Sequence, residues 1–162
     1  MKRFFFLSLS FLCFSFSAFS QEKVKFMDFN YITTSLEEET LYQNKSPFTL
    51  LYFYNPECED CTKIKKELSK NKDLEELIEK GVVMVLAILP DVEKEYWLDK
   101  KKFIPKTWKN CWIENDKPVI KTYLRTLPTF YLLDEEKYIF LTPNAQELLN
   151  WIKLKKSENN NN

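Results

Sequence analysis

One stretch constrains this chain more than any other: Leu50-Leu51-Tyr52-Phe53-Tyr54-Asn55-Pro56-Glu57-Cys58-Glu59-Asp60-Cys61-Thr62-Lys63-Ile64-Lys65-Lys66-Glu67-Leu68. Leu50 to Tyr54 is apolar and aromatic throughout, the pattern of a buried strand. Asn55-Pro56 ends the run, because proline fixes its own φ and disfavours helix in the residue before it. The period then changes to that of a charged helix with Ile64 and Leu68 on one face. Cys58 and Cys61 therefore fall where a strand becomes a helix. Residues three apart at a helix start face the same side, within reach of a disulfide. The unpaired amides and positive dipole end of such a helix favour a thiolate on Cys58. The spacing predicts a redox geometry.

Composition narrows the chemistry further. The chain of 162 residues suits one domain with enough apolar content for a core. Its 24 basic and 24 acidic residues balance, so it carries no electrostatic footprint for nucleic acid. It has no histidine, which excludes a histidine general base, histidine-ligated zinc or copper, and a Cys-His dyad.

Residues 1–20 are of a different kind. Lys2-Arg3 forms a short basic start, Phe4 to Phe16 an apolar run diluted by serines, and Ser17-Ala18-Phe19-Ser20 puts small residues before Gln21. This is the pattern of a secretory signal peptide. The apolar run is shorter than the roughly 20 residues of a membrane span, so no stable span is expected after cleavage. Cys13 has bulky neighbours where a lipid-attachment site needs small ones, and leaves with the signal. Export, to the periplasm or beyond, would place Cys58, Cys61 and Cys111 where disulfides form and persist.

Residues 21–46 read as an N-terminal extension. Val24 to Phe29 alternates as an edge strand, and Thr34-Ser35 ahead of Glu37-Glu38-Glu39 looks like a capped helix start. Pro47 opens the main domain, which runs to Lys156. Phe48 to Tyr54 is its first strand. Helices follow over Glu59 to Lys70 and Leu74 to Lys80, with Gly81, the only glycine, as a C-cap. Val82 to Leu89 is apolar on both faces, as in a buried parallel strand. Parallel pairing with the first strand needs a crossover, which the helices supply. Val92 to Lys102 predicts a helix, Phe103 to Asp116 irregular chain, and Pro118 to Leu124 a short helix. Thr129 to Asp134 and Tyr138 to Leu141 predict a hairpin. A last helix opens near Pro143, with Leu148, Leu149, Trp151, Ile152 and Leu154 inward, and residues 157–162 read as a disordered polar tail.

The order β-α-β-α-β-β-α, with two cysteines after the first core strand, resembles the thioredoxin-like superfamily over about Phe48 to Lys155. Cys58-Glu59-Asp60-Cys61 matches its CxxC motif, and Leu127-Pro128-Thr129 its cis-proline loop. Similar blocks, Phe53 to Pro56, Val85 to Asp91 and Tyr131 to Asp134, occur in secreted thioredoxin-like domains of Bacteroidota. The resemblance implies an α/β, three-layer fold with a central mixed sheet flanked by helices. It also implies a thiol-disulfide oxidoreductase without organic cofactor or metal. Cys58 would attack, Cys61 would resolve the mixed disulfide, and Leu127 with a cis Pro128 would hold an extended substrate backbone. Partners would be protein or peptide thiols and disulfides, with electrons from another redox protein. Two positions differ: thioredoxins place tryptophan before the first cysteine and a buried aspartate six residues before it, and this chain has Glu57 and Tyr52.

Each feature also has a plainer reading. The pair could be a permanent staple in a redox-inactive binding module, or half a metal site, although a four-cysteine zinc site would need a second CxxC. Glu57, Glu59 and Asp60 place negative charge beside the nucleophile, which disfavours the thiolate and lowers the reduction potential; they also simply complement a helix N-terminus. Cys111, between Trp108 and Trp112, reads as a small buried hydrophobe, with intermolecular pairing as the alternative. Tyr96, Trp97, Trp108 and Trp112 read as helix packing, with a groove lining as the alternative.

Overall fold

The computed structural model describes residues 23–160. The expected signal sequence, Cys13 included, lies outside the described residues, as do Asn161 and Asn162. Seven strands are formed: β1 (Asn30–Thr33), β2 (Glu38–Thr40), β3 (Phe48–Phe53), β4 (Val83–Ile88), β5 (Lys109–Trp112), β6 (Thr129–Leu133) and β7 (Ile139–Leu141). Among the described residues five α-helices accompany them: α1 (Glu59–Leu68), α2 (Lys72–Glu79), α3 (Lys94–Asp99), α4 (Lys117–Tyr123) and, after the last strand, α5 (Ala145–Asn159). The strands make one mixed sheet in the order β2-β1-β5-β4-β3-β6-β7.

The apolar runs place β3 and β4 side by side at the centre. They pair in parallel from Phe48↔Val83 to Phe53↔Ile88, with α1 and α2 as the crossover. β6 pairs antiparallel on the other side of β3, from Thr49↔Leu133 to Phe53↔Thr129. Because a strand alternates faces, β3 feeds two cores. Leu50, Tyr52 and Tyr54 join Ile64 and Leu68 of α1, Leu74 and Leu77 of α2, and Leu148 and Ile152 of α5. Leu51 and Phe53 join Leu86, Ile88 and Leu133 on the opposite face, closed by Val119 of α4 and by Phe26, Phe29 and Leu41. The second face thus depends on the N-terminal extension, where Phe26 stacks on Tyr123 at 3.8 Å between centroids.

The turn after α2 needs its glycine. Gly81 has φ +69°, and the chain closes with Gly81 N–H on Ile78 O and Val82 N–H on Leu77 O, both at 2.9 Å. These two bonds satisfy carbonyls that the helix end leaves open.

Several expectations are corrected. Thr34 to Glu39 is not a helix start but the turn and second strand of a hairpin, with Leu36 at φ 64° and Tyr31 opposite Glu39. The acids there serve cross-strand partners: Glu39 accepts from Tyr31 Oη at 2.7 Å and from Lys109 Nζ at 2.6 Å. The strand expected over Val24 to Phe29 is reduced to a bridge between Lys25 and Tyr138, and pairing begins at Asn30. The stretch expected to be irregular contains β5, parallel to β4 and antiparallel to β1. The helix expected from Val92 is shorter, ending at Asp99 before a single 3-10 turn over Lys101–Phe103. At the C-terminus α5 continues through Ser157 to Asn159, and Leu154 faces outward at 64% exposure.

Candidate active site

The redox pair sits where β3 hands over to α1. Asn55 Oδ1 accepts from Glu57 N–H at 2.8 Å and Asn55 O from Cys58 N–H at 3.1 Å, so the residue before the proline folds the turn. Cys58 is the N-cap of α1, with extended backbone, and its Sγ accepts from Cys61 N–H at 3.2 Å. A sulfur therefore stands where serine or aspartate oxygen commonly caps a helix. That position offers a thiolate the helix amides and the positive end of the dipole. Cys58 is half-buried and Cys61 fully buried. The two form a disulfide with Cα atoms 5.2 Å apart, inside the range that needs no backbone movement.

The proline loop comes to the same place at the start of β6, the antiparallel neighbour of β3, where Thr129 pairs with Phe53. The Leu127–Pro128 peptide is cis, and Leu127 O lies 3.8 Å from Cys58 Sγ. Thr129 Oγ1 donates to Thr126 O at 2.6 Å, tightening the loop at the start of β6. Beside Pro128 opens a groove of about 400 Å³. Its floor is Ile64, Phe130 and Pro143, and Asp60, Lys63 and Glu67 of α1 stand along one side. Among the described residues these three make no salt bridge, so they are open to a partner. The groove forms only in the folded chain, where residues of α1, the start of β6 and the segment that opens α5 come to line one space.

The acids expected beside the nucleophile are all exposed. Glu57 accepts from Tyr96 Oη at 3.1 Å, so Tyr96 packs its ring against the core as expected while its hydroxyl reaches the rim of the site. Burial first, and then this bond, push the Tyr96 phenol above its ordinary range. Trp97 and Trp108 are buried, as expected for packing. Trp112 is half-buried and donates to Val92 O at 2.9 Å. Cys111 is fully buried and unpaired on β5, and burial pushes its thiol far up. It takes no part in the site. Among the described residues no group of three or more acidic or cysteine side chains is placed to hold a metal ion.

Beneath the pair runs a row of four stacked rings: Phe103, Tyr54, Tyr52 and Phe130. Their centroids are 5.3, 5.5 and 5.1 Å apart and their planes within 25° of each other. Lys65 of α1 lies over Phe103 and donates to its carbonyl at 3.0 Å; desolvation holds this ammonium below its usual range. Tyr54 Oη and Trp97 Nε1 both donate to Asn110 Oδ1, at 3.1 and 2.8 Å. Tyr52, at the position that differs from thioredoxins, donates its hydroxyl to Cys61 O at 2.8 Å.

A mixed sheet with a CxxC pair at the N-terminus of its first core helix and a cis-proline beside it defines a protein of the thioredoxin class. The model of the thioredoxin-like domain family matches residues 35–146, and the chain belongs to that family. A conserved protein of unknown function from Bacteroides fragilis is 32% identical over 80% of this chain and 96% of its own, with a TM-score of 0.73. A thioredoxin-like protein from Bacteroides caccae is 29% identical, with a TM-score of 0.74; the match covers 82% of this chain and 49% of that one. A thiol:disulfide interchange protein from a Bacteroides species shares the fold at 20% identity, with a TM-score of 0.66, over 81% and 87% of the two chains. No curated protein matches.

Proposed function

We propose that the protein is an exported thiol-disulfide oxidoreductase that reduces disulfides in protein or peptide partners. The observation that carries this reading is the half-exposed Cys58 at a helix N-cap, 3.8 Å from the carbonyl before a cis-proline, with Cys61 buried behind it. In the reduced protein Cys58 thiolate attacks one sulfur of the partner's disulfide and the other leaves as thiolate. Cys61 then loses its proton to water and attacks Cys58 Sγ, releasing the partner's second thiolate. Two electrons pass to the partner, and the Cys58–Cys61 disulfide remains. A second redox protein restores the dithiol.

Leu127 and Pro128 hold the partner's backbone in extended form, and the adjoining groove receives a side chain next to its cysteine. Glu57, Glu59 and Asp60 weaken thiolate stabilisation at Cys58, which lowers the potential and favours the reducing direction. Export rests on the signal pattern of residues 1–20. Among the described residues no helix is long and apolar enough to cross a membrane.

The test is the equilibrium reduction potential of the Cys58–Cys61 pair in the purified protein. A value below about −200 mV supports a reductant. A value near about −120 mV keeps the oxidoreductase and reverses its direction. A bond that yields to reductant only when the protein unfolds makes the disulfide a staple, and a redox-inactive binding module replaces the reading.

A further inference from the structure

Cys61 must approach Cys58 closely at the second step, yet its side chain sits in an apolar core where little else directs it. The group that touches its residue from below is Tyr52. Its ring is clamped by stacking against Tyr54 and Phe130, and Trp108 meets it edge-on, with centroids 6.0 Å apart and planes at 89°. The ring is fully buried, so its hydroxyl has one place to be. That place is 2.8 Å from the carbonyl oxygen of Cys61.

This carbonyl lies in the first turn of α1, where each backbone oxygen already has the amide four residues on as partner. The helix does not need the extra donor. What the bond adds is a tie between β3, the rigid centre of the sheet, and the backbone that carries the resolving sulfur. Desolvation pushes the phenol well above its ordinary range, so it stays protonated and acts only as a donor. It takes no proton from Cys61.

We propose that Tyr52 is a positioning residue for the resolving cysteine, holding Cys61 at the distance from which it attacks the mixed disulfide on Cys58. The proposal rests on the redox reading above. First attack depends on Cys58, which the Asn55 turn and the helix N-terminus place. Resolution depends on how often the Cys61 sulfur occupies its attacking position. Tyr52 acts on the second step alone.

The substitution Tyr52→Phe keeps the ring and removes the bond. Reduced protein is mixed with a disulfide-linked peptide, acid-quenched over time, and the free, mixed-disulfide and oxidised forms are separated by mass. The expected result is an unchanged rate of mixed-disulfide formation with resolution slowed about two- to tenfold, the factor for one neutral hydrogen bond. Leu77→Ala, in α2 and buried in the same core, serves as the control for lost stability. It lowers the unfolding midpoint and leaves resolution at the parental rate. Resolution at the parental rate in Tyr52→Phe overturns the proposal, as does an equal slowing in Leu77→Ala. If the parent yields neither mixed disulfide nor oxidised Cys58–Cys61 with released peptide thiol, the redox reading falls and the proposal falls with it.

Discussion

Replacing Asn110 by aspartate puts a titrating group at the centre of the polar network behind the redox site, and its cost follows from the geometry. Asn110 is 4% exposed; its Oδ1 accepts from Tyr54 and Trp97, while its Nδ2 has no partner. Protonated aspartic acid is nearly isosteric, keeps one oxygen for both donors, and puts an O–H where the unpartnered amide stood. Below about pH 3 the folded and unfolded chains both hold that proton. The substitution then costs under about 1 kcal/mol, because no hydrogen bond is lost.

The sign of the pH dependence follows from burial. Desolvation raises the folded-state pKa of the new carboxyl above the unfolded value of about 3.9, while the two donors favour the ionised form and limit the rise. As pH climbs past about 4 the unfolded chain releases its proton first, and stability falls by about 1.4 kcal/mol per pH unit. A net rise of about two units gives a loss of about 3 kcal/mol, complete near pH 6 and flat above it. Urea unfolding of parent and Asn110→Asp at pH 4.0 and 7.5 measures this directly. The difference between the two proteins should be small at the lower pH and about 3 kcal/mol at the higher. An equal difference at both values would mean that water reaches the site. A variant that gains on the parent as pH rises would mean that Tyr54 and Trp97 hold the charge better than water does. Either result refutes the reasoning.

Further outcomes are expected at the redox pair and at the free thiol. Neutralising Glu59→Gln or Asp60→Asn should raise the Cys58–Cys61 potential by roughly 10 mV each at low salt, and less as salt screens the charge. A shift in the opposite sense would show that the acids do not act on the thiolate. Cys111 should resist thiol reagents in the folded protein, because a fully buried thiol pushed far up offers no thiolate. In a Cys58→Ser, Cys61→Ser background its labelling rate should follow global unfolding as urea is added; rapid labelling without urea would contradict the burial. Both measurements also bear on the proposed function, since they separate the pair that exchanges from the thiol that does not.

Much of the site was legible because its determinants are local. The change from an apolar run to a charged helix across Asn55-Pro56 needs no partner to be read, and it places Cys58 at the N-cap where the structure has it. The same holds for β3 and β4, whose unbroken apolar runs demand burial on both faces, and for Gly81, whose positive φ only glycine adopts freely. Leu127 and Pro128 were legible only through a family resemblance, since an isolated Leu-Pro step does not declare its isomer.

What escaped the sequence belongs to segments whose state is set by partners far along the chain. Lys109-Asn110-Cys111-Trp112 has too little apolar pattern to read as a strand, and becomes one because β4 and β1 flank it. Thr34 to Glu39 satisfies a helix-start pattern locally, but Tyr31 and Lys109 take Glu39 into a hairpin. Tyr52 reads as one more aromatic in a buried strand. Its hydroxyl acquires a role only when α1 is laid over β3 and brings the Cys61 carbonyl to 2.8 Å. The chain alone determined where a strand meets a helix and where two thiols face each other, because periodicity and proline act over a few residues. Packing decided which polar atoms surround those thiols, because the contacts of Tyr52 with the Cys61 carbonyl, Tyr54 with Asn110 and Cys58 Sγ with Leu127 O, across 9, 56 and 69 residues, exist only after the core has closed.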